Sequence, residues 1–168
     1  SWSVGHTFQS PAILAGDWNV CPTDQDVWDP VAMAKDALCQ PESRAAFRKL
    51  VFQGWTDAIR TQHPDSRDYT YWDYFQNRFE RDHGLRIDHL PLSPRVADRL
   101  VASGVDRTPR GWEKASDHTP AWVEIKDGNG YRFLSVVRQG DDQPIPTQER
   151  EFVLERFALS LIAPKEVG

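Results

Sequence analysis

No stretch of this chain approaches the ~18–20 consecutive apolar residues that a membrane-crossing helix needs, so a helical membrane protein is not expected. Cysteine is nearly absent. Cys21 and Cys39 are the only two; their spacing is that of neither a metal site nor a redox pair, and two cysteines make a poor disulfide framework. The opening Ser1-Trp2-Ser3-Val4-Gly5-His6 lacks a basic start followed by an apolar stretch, so no secretory leader is expected. It also lacks an initiator Met, which puts the expected true start upstream. A reducing, cytoplasmic setting follows as the expectation. An excess of positive charge is missing too. The net charge of −5 has the wrong sign for a protein that holds nucleic acid by bulk electrostatics. No internal repeat and no low-complexity segment is present.

What is there is enough for one folded domain: 168 residues, 39% hydrophobic, with seven tryptophans. The charge is uneven. Between Arg78 and Lys114 eight basic side chains face six acidic ones, so this segment is positive inside an acidic chain. Such a stretch is either a solvated face or an anion-facing one.

Ala12-Ile13-Leu14-Ala15 is a continuous apolar run, the pattern of a strand buried on both faces, and it leads into Gly16-Asp17. Residues 20–40 read as loop. Pro41-Glu42 opens a helix with Ala46, Phe47, Leu50 and Val51 at helical spacing, closed by Gly54. Residues 55–58 read as a short strand or turn, the aromatic run 69–75 as a strand, and 85–93 as the next strand. Ser93 and Pro94 start a predicted helix through Val96, Leu100 and Val101 to Gly104. Ala121–Ile125 is a further strand. Asp127-Gly128-Asn129-Gly130 marks a turn, with 131–137 returning as its hairpin partner. A last amphipathic helix is predicted from Thr147 to just before Pro164. The mix of strands and helices makes the class α/β or α+β.

Three clusters carry chemistry. Asp17 and Asn19 stand two apart in an extended segment, so both can face one pocket; a carboxylate there can hold a hard cation or take a proton, and an amide can bond a phosphoryl oxygen. Gly-Asp-x-Asn is equally ordinary turn chemistry. His118, in Ser116-Asp117-His118-Thr119-Pro120, needs a partner to act as a base. Asp88, mid-strand, is the candidate; the alternative is that Asp88 pairs with Arg86 while His89 or His118 satisfies a local carbonyl. Tyr69, Tyr71, Trp72, Tyr74 and Phe75 either stack on bases or an extrahelical sugar, or pack as core, with Trp72 the choice for a ligand-facing ring.

In order, Ile-Leu-Ala-Gly-Asp-Trp-Asn-Val-Cys-Pro-Thr-Asp at 13–24, Asp-Val-Trp-Asp-Pro at 26–30, Gln-Gly-Trp-Thr-Asp-Ala at 53–58, Tyr-Thr-Tyr-Trp-Asp-Tyr-Phe at 69–75, Gly-Leu-Arg-Ile-Asp-His-Leu at 84–90 and Gly-Trp-Glu-Lys-Ala-Ser-Asp-His-Thr-Pro-Ala-Trp at 111–122 resemble exodeoxyribonuclease III, of the endonuclease/exonuclease/phosphatase superfamily. The resemblance runs nearly continuously from about residue 12 to 126 and covers only that family's C-terminal half. It implies half of a four-layered α/β (α+β) sandwich with mostly antiparallel sheet, residues 1–126 forming the half-domain and 127–168 a hairpin and helix extension.

The same resemblance implies catalytic roles for Asp17, Asn19, Asp88 and His118. It implies metal contacts from Asp17, Asn19, Asp117 and His118 to Mg²⁺ or Mn²⁺, and substrate contacts from Trp72, Tyr71 and Arg86. The implied reaction is hydrolysis of phosphodiesters in double-stranded DNA, from 3′ ends and at abasic sites. The family's N-terminal half supplies a metal-binding Glu, an early strand Asn and a catalytic Tyr that residues 1–11 do not replace. A lone half would bare an apolar sheet face. The expected states are therefore a fragment, one half of an assembly completed in trans or by self-association, or a non-catalytic DNA-binding remnant. A phosphoesterase for small phosphate esters is the remaining alternative.

Overall fold

A computed structural model describes residues 11–126 in full and the backbone of residue 127 and of 130–136; the helix expected from Thr147 and the turn residues 128–129 lie outside the described residues. The elements are short. β1 is Gly16–Asp17, α1 Pro41–Phe52, β2 Thr56–Asp57, α2 Ala58–Gln62, β3 Asp88–His89, β4 Pro91–Leu92, α3 Pro94–Ala97, β5 Leu100–Val105, β6 Ala121–Asp127 and β7 Gly130–Val136. Every pairing among them is antiparallel: β1 with β3, β2 with β4, and β5-β6-β7 in one sheet. Isolated bridges stitch Ile13 to Leu92 and Tyr71 to both Leu85 and His118.

α1 begins with Pro41 in its first turn, where no backbone donor is needed, and ends before Gly54, whose φ of 104° suits a residue without a Cβ. α2 starts where Asp57 accepts from the Arg60 N–H. One core cluster joins Ala58 and Ile59 of α2 to Leu90, Leu92, Val96 and the inward residues Ala121, Val123 and Ile125 of β6. A second gathers Cys21, Val27, Cys39, Leu85 and Ile87. The two cysteines, remote in sequence terms, thus share one apolar cluster, both as free thiols. Burial pushes both thiols up, Cys21 beyond the range where a thiolate forms.

Several expectations are corrected. The helix predicted over 93–104 stops at Ala97, and Leu100–Val105 is instead a strand, because five of its residues find partners along β6 with a bulge between Leu100 and Ala102. Sheet pairing outweighs the weak helical preference of Val101, Ser103 and Gly104. The strand predicted over 85–93 breaks at Leu90 into β3 and β4, which pair with different partners. The aromatic run 69–75 bridges only at Tyr71, then turns through Phe75–Asn77 with Gln76 and Asn77 in the left-handed region. Ala12, Ile13 and Leu14 are half-buried and Ala15 is exposed, not a strand sealed on both faces. Large exposed apolar side chains among the described residues are Val31, Phe52, Tyr74, Phe75 and Val101, and of these Val101 alone lies in a strand.

A candidate active site at the β1–β3 ladder

β1 and β3 share two residue pairs, and one sets Asp17 opposite Asp88. Carboxylates facing each other across a ladder repel, so this register calls for a group of other chemistry beside them. His118 is that group. Its Nδ1 lies 2.8 Å from Asp88 Oδ2, and its Nε2 lies 4.0 Å from Asp17 Oδ2. His118 and Asp88 are fully buried, and Asp17 is partly open. A carboxylate accepts only, so Nδ1 carries the proton in this bond, and Nε2 is the ring nitrogen on the Asp17 side. This is the arrangement of an oriented base.

Backbone contacts hold the pieces in place. The Thr70 hydroxyl accepts from the N–H groups of Ile87 and Asp88, both at 3.1 Å, while its carbonyl accepts from Thr119 at 2.8 Å. Thr70 thereby ties the strand of Asp88 to the segment of His118. Sequence reasoning passed over it, because the aromatics on either side draw attention to themselves; its signal was a lone hydroxyl inside that run. The Ser116 hydroxyl accepts from the His118 N–H at 3.2 Å, and the Tyr71 ring meets the imidazole edge-on at 5.1 Å. Asp88 Oδ1 is buried and has no hydrogen-bond partner among the described residues. A buried carboxylate oxygen without a donor is costly.

Asn19 has φ 49°, a left-handed position that Asn tolerates, and its N–H donates to Asp17 Oδ1 at 2.9 Å. The donors of Asp17 and Asn19 are hard oxygens of the kind Mg²⁺ takes. They are too few to enclose an ion: among the described residues no group of three or more His, Cys, Asp or Glu stands where it could hold a metal. Asp117, half-buried, contributes its carbonyl to the Trp72 N–H at 2.9 Å. Burial and then the charges of Asp73 and Asp117 raise the Tyr71 phenol above its ordinary range.

Two expected substrate contacts are corrected. Arg86 is 1% exposed and spends its guanidinium on Asp26 and Asp57, so it reaches neither substrate nor Asp88. The indole of Trp72 is fully buried; its Nε1 donates to Asp82 at 3.2 Å, Phe79 stands edge-on at 5.2 Å, and the Arg107 guanidinium lies 5.1 Å above the ring. Gly84 lies under it so closely that a Cβ there would come 2.5 Å from Nε1. Trp72 is core. The basic segment also differs from a bare charged face: Arg78 covers Trp28 and Arg110 covers Tyr74 and Phe79.

His89 points to the other side of β3. It is fully buried, and its pKa is pushed down to about 4 by burial and by the neighbouring Arg86 cation, with Asp57 and Asp26 opposing. The ordinary value is 6.5. Between these limits the unfolded chain binds a proton that the native state refuses. The contribution of His89 to stability is therefore complete above pH 6.5 and is lost as pH falls toward 4, on the order of 3 kcal/mol across that window. His89→Gln is expected to flatten this part of the profile. Urea unfolding at pH 7, 5.5 and 4.5 measures it, and equal slopes in both proteins would contradict the assignment.

The antiparallel ladders, with an Asp–His pair facing a second carboxylate, lie on the fold shared by exonuclease III-type nucleases and AP endonucleases. The chain matches the Neisseria 3′ phosphatase NExo, solved bound to a product DNA hairpin, with TM-score 0.69 and 36% identity over 72% of this chain and 47% of that one. It matches an AP endonuclease from Archaeoglobus fulgidus with TM-score 0.65 and 36% identity, covering 68% and 45%. The profile of the Endonuclease/Exonuclease/phosphatase family matches residues 3–118, and the chain belongs to that family. Exodeoxyribonuclease III of Haemophilus influenzae is 34% identical over 128 residues, 72% of this chain and 48% of that protein, so the chain spans about half the length of such relatives. Among the described residues no helix is long and apolar enough to cross a membrane.

Proposed function

We propose that this chain carries the C-terminal half of a metal-dependent DNA phosphodiesterase of exonuclease III type, acting on duplex DNA at 3′ ends and abasic sites in base excision repair. The carrying observation is the His118–Asp88 pair with Nε2 turned toward Asp17. In this reading Asp88 fixes the tautomer, His118 Nε2 receives or returns a proton at the scissile phosphate, and Asn19 steadies a phosphoryl oxygen. Asp17, Asn19 and Asp117 would hold one side of Mg²⁺ or Mn²⁺, which when bound polarises phosphoryl oxygens. Tyr71 would wall the site beside the imidazole. The remaining donors would come from the N-terminal half of the domain, whether it belongs to the same polypeptide, is supplied in trans or is replaced by a second copy.

The test is incision of a labelled duplex bearing one abasic site, with Mg²⁺ and with EDTA. The 168-residue chain is assayed alone and with the N-terminal half of the Haemophilus relative. Metal-dependent incision in either mixture supports the reading. No incision in both, or hydrolysis of a small phosphomonoester with DNA untouched, overturns it.

A further inference from the structure

The turn that carries Asp17 and Asn19 is tied down from behind. Along β3, Asp88 faces the His118 side and His89 faces the opposite one, as strand alternation requires. The His89 ring is fully enclosed, and its Nε2 lies 2.8 Å from the Val20 carbonyl. A carbonyl can only accept, so Nε2 carries the proton and donates. Val20 ends the five-residue segment that begins with β1. Within it, the Trp18 N–H donates to Ile87 at 2.9 Å and the Asn19 N–H to Asp17 Oδ1 at 2.9 Å.

The ring is braced as well as bonded. Phe47 of α1 packs on it at 4.7 Å, tilted by 50°, and Trp18 meets Phe47 edge-on at 5.8 Å. Imidazole, phenyl and indole thus run in series from β3 through α1 back to the turn. The other ring nitrogen, Nδ1, is buried without a hydrogen-bond partner among the described residues. A residue present only to fill this space would be Leu, which leaves no polar atom stranded. The stranded nitrogen is the cost of placing one donor at Val20.

We infer that His89 is a positioning residue for the turn: its Nε2–H fixes the Val20 carbonyl, and through it the left-handed Asn19 and the Asp17 carboxylate that faces His118. The role in chemistry rests on the nuclease reading above. The role in the turn does not.

The test compares wild type, His89→Leu, which keeps bulk without a donor, and His89→Gln, whose amide nitrogen can take the place of Nε2. Amide hydrogen exchange at Trp18 and Asn19 is the first readout. His89→Leu is expected to speed both by about 10-fold, the weight of one buried hydrogen bond, with amides of β5 and β6 unchanged. His89→Gln is expected to restore most of the protection. If His89→Leu does not fold, His89→Asn, whose amide falls short of Val20, takes its place. Wild-type exchange at both amides in the donorless variant overturns the inference.

The second readout is abasic-duplex cleavage by the complemented enzyme. The donorless variant should lower kcat by about 10-fold with KM nearly unchanged, and His89→Gln should recover it. Faster exchange with unaltered kcat would also overturn the positioning role. If wild type does not cleave, the fault lies with the nuclease reading, and exchange alone decides the inference.

Discussion

Replacing Arg86 by Met is expected to lower the melting temperature of this chain by roughly 10 °C, a loss of about 3–5 kcal/mol. Arg86 Nε donates to Asp26 Oδ1 at 2.6 Å, while its two terminal nitrogens grip both oxygens of Asp57 at 2.9 and 2.8 Å. The three groups sit at 1%, 0% and 9% exposure. Burial opposes the charge on Asp26, but Arg86 and Arg60 overcome it and hold the carboxyl down at about 2; Asp57 is lowered by the same guanidinium. Arg86 itself is held charged above its ordinary range by the two carboxylates, against burial.

Removing Arg86 leaves Asp57 without a cation and Asp26 with only Arg60, at 2.6 Å. An unpaired buried carboxylate is among the largest single-site penalties known, in a domain whose whole margin is about 5–15 kcal/mol. Lys is expected to rescue little, since one ammonium cannot serve a forked pair on two sides. Thermal melts followed by circular dichroism decide it; a Met variant melting within about 2 °C of wild type would show the cluster to be dispensable.

The second large effect is catalytic. With the nuclease reading as its basis, His118→Ala is expected to cut single-turnover cleavage of an abasic duplex by about 10²–10⁴-fold. Asp88→Asn should lose nearly as much, although its shape is kept. An amide in that place can donate to Nδ1, which would put the proton on Nε2 and remove the acceptor facing Asp17. Because the pair acts as a unit, the double variant should be little worse than either single one. Circular dichroism of each variant should match wild type. Multiplying effects in the double variant, or single-variant rates near wild type, would mean that the dyad is only structural.

Much of this was legible in the residues. Pro41 at a helix start and Gly54 after its end bounded α1, and the Asp17, Asp88 and His118 motifs read as one chemistry before their side chains were seen to converge. The alternative that paired Asp88 with Arg86 was less easily dismissed, because strand neighbours two apart share a face. Asp26 and Asp57 decide the matter, and nothing local links positions 26, 57 and 86. Trp72 misled for a similar reason. Its burial depends on Gly84, Phe79 and Arg107, all contributed by later segments, so an aromatic run alone cannot say which ring faces outward. The segment 100–105 failed as a helix because helical spacing of Val96, Leu100 and Val101 coincided with a strand whose partner lies twenty residues on. Local periodicity carries no information about that partner.

The two-residue ladder of β1 and β3 has a consequence for the order of assembly. Val20 is bonded to a residue 69 positions away, and Asp88 to one 30 positions further along the chain than itself. Neither tie can be made by a neighbourhood that folds early and alone, and each closes a long loop for only a few bonds. As the polypeptide emerges from the ribosome, Asp17 appears about a hundred residues before His118, the group it comes to face. The cluster of Asp17, Asp88 and His118 is thus unformed until the last of the segments that build it has been made.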